Sequence, residues 1–285
     1  MKKLVLILGL MVLTSAQAFA ICDYSSLCSP KAYDISSKGG QIFSTASGMT
    51  FFAEKFAGFL IKKELKKATK EKFRVDMKSY SANDLAHGRF KSLKISGRDL
   101  DIDGVYLTSF EAKTLCDFNY VDLSNKSIKF KENMAMAFSM EISDTDLRKT
   151  MQSSGYLNML NKVNFSGLGM TFFRLSGADV QVKNDKIYFT IKVTSPMSSV
   201  PLPVVLSYDL KVQDGRIEAA KVALVNVYSV MDLTKAASVL NILNPLTFST
   251  EILNNKVSKI SIKNVDVKGD RIFVKGEILI PKNST

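Results

Sequence analysis

Asp99, Asp101, Asp103 and Gly104 have the spacing that opens a calcium-binding loop, in which alternate carboxylates surround the ion and glycine permits a sharp turn. The rest of such a loop is missing. Phe110 stands where a bidentate Glu is required, Glu111 comes one place late, and the flanks alternate like strands where helices are needed. Solvent-facing strand positions followed by a turn account for these aspartates. His87 is the single imidazole, and its place beside Gly88 ahead of a strand suits a loop residue better than a general base. The three cysteines, Cys22, Cys28 and Cys116, allow one intramolecular disulfide, and the two nearest in sequence, Cys22 and Cys28, are the expected pair. One histidine and no cysteine pair of zinc-site spacing argue against a metal centre. The sequence contains no G-x-S-x-G elbow, no H-E-x-x-H helix and no phosphate-cradling glycine loop, so neither catalysis nor a cofactor is expected.

The chain offers soft apolar volume instead. Met134, Met136, Phe138 and Met140 alternate along one strand face, and Met49, Phe52, Phe56, Phe59 and Leu60 recur at helical steps. Methionine is flexible and polarizable, so such surfaces can fit acyl chains of varied shape, and these nine residues are the expected lipid contacts. Ordinary core packing is the competing reading for each of them taken singly. Lys55, Lys62 and Lys66 gather on the other side of the same helix, where they are expected to meet headgroups or a membrane surface.

Several elements must position these residues. A lead-in over residues 21–43, with Pro30, Gly39 and Gly40, lacks periodicity; one long amphipathic helix then runs from about Ser47 to about Glu71. Period-two alternation follows, clearest at Phe73–Met77 and Met134–Ile142. Ser143 and Asp146 form a capping box ahead of a second helical section with a break at Gly155. Further strands meet at Asp214-Gly215, a hairpin signal, and at Gly269-Asp270; a helix over about Val230–Leu243 ends before Pro245. A Ser-Gly-x-Asp pattern recurs at Ser96–Asp99 and Ser176–Asp179, which suggests strand units reused within one extended sheet. The result is a β-rich antiparallel α+β chain.

Residues 1–20 have the order of a secretory signal peptide: Lys2 and Lys3, an apolar run from Leu4 to Leu13, and Ala18-Phe19-Ala20 at the end. An exported chain of the periplasm or cell envelope is therefore expected. Without Lys2 and Lys3 the formal net charge of +12 becomes +10, which suits anionic membrane surfaces or simply keeps the surface soluble, and nucleic acid is no expected partner in that compartment.

Four features together resemble a known family: Gly88-Arg89-Phe90-x-x-Leu93, Leu100-Asp101-Ile102-Asp103-Gly104-Val105, the Met134–Ile142 strand with its Ser143–Leu147 helix start, and the closing Ile260–Val267 and Ile272-x-Val274-x-Gly276 strands. The chain is similar to the LmeA-like phospholipid-binding family from residue 44 to the end. The resemblance implies a phospholipid ligand and a fold like the tubular lipid-binding superfamily, a curved antiparallel sheet wrapped around a long amphipathic helix. Two functions stay open on it: a non-enzymatic phospholipid binder in envelope lipid transfer or maintenance, or an envelope interaction protein that supports a membrane enzyme and uses the groove only as core.

Overall fold

The computed structural model describes Cys28 and residues 34–69, 71–122, 129–162, 174–195, 198–225, 240–241, 243–247 and 258–282. The expected signal peptide and Cys22 lie outside these residues, as does most of the helix expected over Val230–Leu243. The chain opens with helices α1 (Lys38–Ala46) and α2 (Met49–Thr69), strand β1 (Phe73–Lys78) and the short helix α3 (Ala82–Ala86). Next come β2 (Arg89–Phe90), β3 (Ser92–Ile102), β4 (Val105–Thr114), β5 (Asn119–Asp122), β6 (Lys129–Phe130) and β7 (Met134–Ser143). Helices α4 (Asp144–Gln152) and α5 (Ser154–Lys162) lead to β8 (Arg174–Lys183), β9 (Lys186–Ser195), β10 (Ser198–Gln213) and β11 (Arg216–Leu224), and β12 (Lys259–Lys268) with β13 (Arg271–Ile280) closes the chain.

The strands form two main antiparallel sheets, of six strands in the order β1-β3-β4-β7-β13-β12 and of four in the order β11-β10-β9-β8, with a small β2-β5-β6 sheet beside them. Local chemistry sets the hairpins. Asp103-Gly104 and Asp214-Gly215 hold φ of 51° and 84°, and of 51° and 74°, the left-handed pair that matches the twist of the flanking strands. The two Ser-Gly-x-Asp copies fall on β3 and β8, in different sheets, so the expectation of one extended sheet is corrected. Each copy pairs with the next strand through its own hairpin, and the chain's turn from sheet to sheet comes at α4 and α5 between them.

Register explains the core of the larger sheet. Val75 pairs with Ile95, Ile95 with Ala112, Ala112 with Phe138, Phe138 with Gly276, and Gly276 with Ile262. Since side chains alternate between faces, this row lies on one face, and its neighbour Met77, Leu93, Thr114, Met136 and Ile278 lies on the same one. Gly276 makes room within it. A Cβ there would sit 2.8 Å from the Phe138 ring and 2.5 Å from the Ser261 carbonyl oxygen.

The Ser143 and Asp146 box forms as expected, the Ser143 hydroxyl accepting from the Asp146 amide at 3.2 Å and the Asp146 carboxylate accepting from the Ser143 amide at 2.9 Å. The following break falls at Ser153, and Gly155 lies in the first turn of α5. Helix α4 ties the sheets together. Its Asp144 carboxylate accepts from the Val182 amide at 2.8 Å, and Arg148 Nε donates to the Val180 carbonyl at 3.1 Å. Apolar residues of both sheets belong to one buried cluster, which takes in Phe73, Phe138, Met140, Phe189, Leu206 and Tyr208.

Two expectations fail at the amino-terminal side. Residues 38–43 of the expected lead-in belong to α1, because the Ser37 hydroxyl caps its start by accepting from the Gly40 amide at 3.3 Å. The disulfide joins Cys28 to Cys116, not to Cys22. Cys116 is buried in the loop after β4, where Asn119 Nδ2 donates to its carbonyl at 2.9 Å; three-dimensional proximity across 88 residues outweighs nearness in sequence.

Candidate functional site

Helix α2 has two different sides. Thr50, Ala53, Ala57, Gly58, Ile61 and Leu65 turn toward the sheet, and the slimness of most of them lets the helix lie close to β1. A Cβ on Gly58 would meet the Val75 carbonyl oxygen at 3.4 Å. The Glu54 carboxylate fixes the axial position by accepting from the Ser79 amide at 2.6 Å. The bulky apolar residues lie on the outside: Phe52 is 71% exposed, Phe56 64% and Phe59 60%, with Phe51, Met49 and Leu60 exposed beside them.

The wide apolar face read from the sequence is thus split. Its small-residue edge packs on β1 and joins the buried cluster that also takes in Met134, Met136, Phe138 and Met140, whose side chains are all buried. The aromatic edge does not. The expected lipid contacts of α2 and β7 therefore do not share one enclosed space, and a sheet wrapped around the helix, as the resemblance implies, is not shown among the described residues. Periodicity gives the apolar arc but not which part of it the sheet will cover, and a close helix-to-sheet approach selects the small side chains.

Helix α1 repeats this inversion. Its Ser44 hydroxyl is buried, hydrogen-bonded to Thr50 at 2.8 Å and accepting from the Ala82 amide at 3.0 Å. Just before it, the Ser36 amide donates to the fully buried Asp84 carboxylate at 2.9 Å, which the Ser81 hydroxyl also reaches at 2.6 Å. Polar contacts anchor α1, and its Ile42 and Phe43 project outward. These two and Phe51 are not among the residues that helical spacing singles out. Periodicity places them on or beside an apolar arc, and only the strand that covers the helix decides which part of that arc is buried.

Lysines border this surface. Lys55, Lys62 and Lys66, expected to contact headgroups from the opposite side of the helix, are exposed with Lys63 on the same outward side as the phenylalanines, and the Lys55 ammonium lies 5.5 Å from the Phe51 ring centroid. Around the end of β1, a cavity of about 450 Å³ is lined by Lys78, Lys91, Lys113, Thr114, Leu115 and Asp117 among others. Ser79 follows directly on Lys78, so the Glu54 bond puts this basic cavity at the same end of the sheet as the first turns of α2.

The residues considered for other chemistry are occupied structurally. Asp101 accepts from the Gly104 amide at 2.9 Å, completing the β3–β4 hairpin, and its hydrogen bond with Tyr106 raises that phenol's pKa above its ordinary value. His87 caps the end of α3 with its Nδ1 2.8 Å from the Asn83 carbonyl oxygen.

Antiparallel sheets over a methionine-rich buried layer, with an amphipathic helix pair laid on one edge, define an α+β protein built around apolar surface. The chain belongs to the LmeA-like phospholipid-binding family, whose model matches residues 48–277. No curated protein and no solved structure matches it. The match begins at the start of α2 and ends within β13, so it takes in both sheets and the helix with the exposed phenylalanines.

Proposed function

We propose that the chain is an exported protein that binds phospholipid without transforming it and moves it between, or holds it for, the membranes of a cell envelope. The observation that carries this reading is the family match across residues 48–277. Met134, Met136, Phe138 and Met140 form a buried layer, which acyl chains reach as the unbranched, polarizable methionines re-pack around a flexible guest. This adapts the tubular lipid-binding arrangement, with the aromatic side of α2 left outside it. Export is supported by the Lys2–Ala20 leader pattern and by the Cys28–Cys116 bond, which persists in oxidising compartments.

The reading is tested by transfer. Protein stripped of lipid is mixed with donor vesicles of radiolabelled phosphatidylglycerol and with separable acceptor vesicles. Label should reach the acceptors at a rate proportional to protein concentration, with acyl chains and headgroup intact. Transfer no faster than in buffer removes the transport role, and hydrolysed label removes the non-enzymatic one.

A further inference from the structure

Exposed large apolar residues are concentrated on α1 and the first half of α2, two consecutive helices that touch one another. Ile42 and Phe43 on α1 join Met49, Phe51, Phe52 and Phe56 on α2, all exposed, and the polar bonds of Ser44 and Asp84 hold α1 so that they remain so. A contiguous exposed apolar patch with a charged rim marks a surface that meets something else. Its borders identify the occupant. Exposed Lys55, Lys62, Lys63 and Lys66 flank it along α2, while Glu54, the acidic residue beside Lys55, is turned inward to the Ser79 amide. At the same end of the sheet, Lys78, Lys91 and Lys113 converge on the 450 Å³ cavity, whose lining has one acidic residue, Asp117; among the described residues none of the three makes a salt bridge, and the Lys91 ammonium lies 5.1 Å from the Tyr80 ring centroid. Three lysines against one carboxylate leave an excess of positive charge around the opening, which a bound anion would offset.

We infer that this end of the molecule is a docking surface for an anionic bilayer: the phenylalanines of α2 and Ile42 and Phe43 of α1 enter the interface, and Lys78, Lys91 and Lys113 receive lipid phosphates. Among the described residues no helix is long and apolar enough to cross a membrane, and α2 carries lysines along its second half, so it lies in the plane of the surface. The inference deepens the phospholipid-binding reading by giving it a place of contact with the membrane, and it stands on different residues from the β7 face.

The sequence contains no tryptophan, so Phe56→Trp creates a single emitter on the surface in question. Its fluorescence is measured in the purified chain alone, with phosphatidylglycerol vesicles, with phosphatidylcholine vesicles, and with brominated acyl chains in either. Alone, the emission should be that of water-exposed indole. Anionic vesicles should shift it to the blue and brominated chains should quench it, while neutral vesicles at low salt leave it unchanged. Replacing Lys78, Lys91 and Lys113 together with Gln should weaken vesicle binding by about a hundredfold at low salt, at the usual gain per lysine near an anionic surface. Emission already blue without vesicles means that another segment of the chain or a second copy covers the face, and it overturns the inference. An absent shift with anionic vesicles, or an undiminished one in the lysine variant, also overturns it. Phospholipid extracted from the same preparations tests the binding reading separately. A blue shift in protein that carries no lipid keeps the docking surface and loses the ligand, and lipid-loaded protein with no shift does the reverse.

Discussion

Met136→Glu is expected to prevent cooperative folding, and Phe56→Glu to leave the fold intact. Met136 is 5% exposed and stands in β7 between Thr114 of β4 and Ile278 of β13, so a carboxylate there is buried among apolar neighbours. An unpaired buried charge costs several kcal/mol, a large part of the roughly 5–15 kcal/mol that stabilises a typical domain. Phe56 is 64% exposed, and a surface substitution of this kind changes stability by about 0.5 kcal/mol or less. Thermal unfolding followed by circular dichroism distinguishes the two, with a cooperative transition expected for Phe56→Glu alone. A Met136→Glu protein that melts cooperatively near the wild-type temperature would mean that the β7 face is an open wall and not a buried layer.

Loss of the disulfide should have the next largest effect. Cys28 and Cys116 are 88 residues apart, and closing a loop of that size removes unfolded-state entropy equivalent to about 4–5 kcal/mol in the chain-entropy account. Cys116→Ser should therefore unfold at markedly lower denaturant concentration, and reducing agent should bring the wild type to the same midpoint. Cys22→Ser should be unaffected by comparison, because Cys22 has no part in the bond. Equal loss in the Cys22 and Cys116 variants would contradict the pairing.

The sequence makes the strands legible because local chemistry and tertiary burial agree in them. The Met134–Ile142 alternation becomes β7 with its apolar side inward, Asp214-Gly215 turns β10 into β11, and Ser143 with Asp146 starts α4. Where the two disagree, periodicity misleads. Met49, Phe52, Phe56 and Leu60 share an apolar stripe with Ala53, Ala57 and Ile61, and only a neighbouring strand decides which half is buried. β1 admits the small residues, held close by Gly58 over Val75, so the bulky ones face out. The disulfide was hidden for a similar reason. Sequence distance says nothing of the fold that returns the end of β4 to Cys28. The lysine cavity is likewise invisible until Lys78, Lys91 and Lys113, from β1, the turn before β3, and β4, are brought to one end of the sheet.

If the family's ligand is also this chain's, phospholipid should be present in the protein as it is isolated. Protein purified from an envelope fraction by mild, detergent-free extraction is washed and extracted with organic solvent, and the extract is examined by mass spectrometry beside that of an unrelated basic protein treated identically. Phospholipid in amounts comparable to the protein, absent from the control and displaced by added phosphatidylglycerol, is the result predicted here. An extract with no more phospholipid than the control, from protein that also takes none up from vesicles, would contradict it.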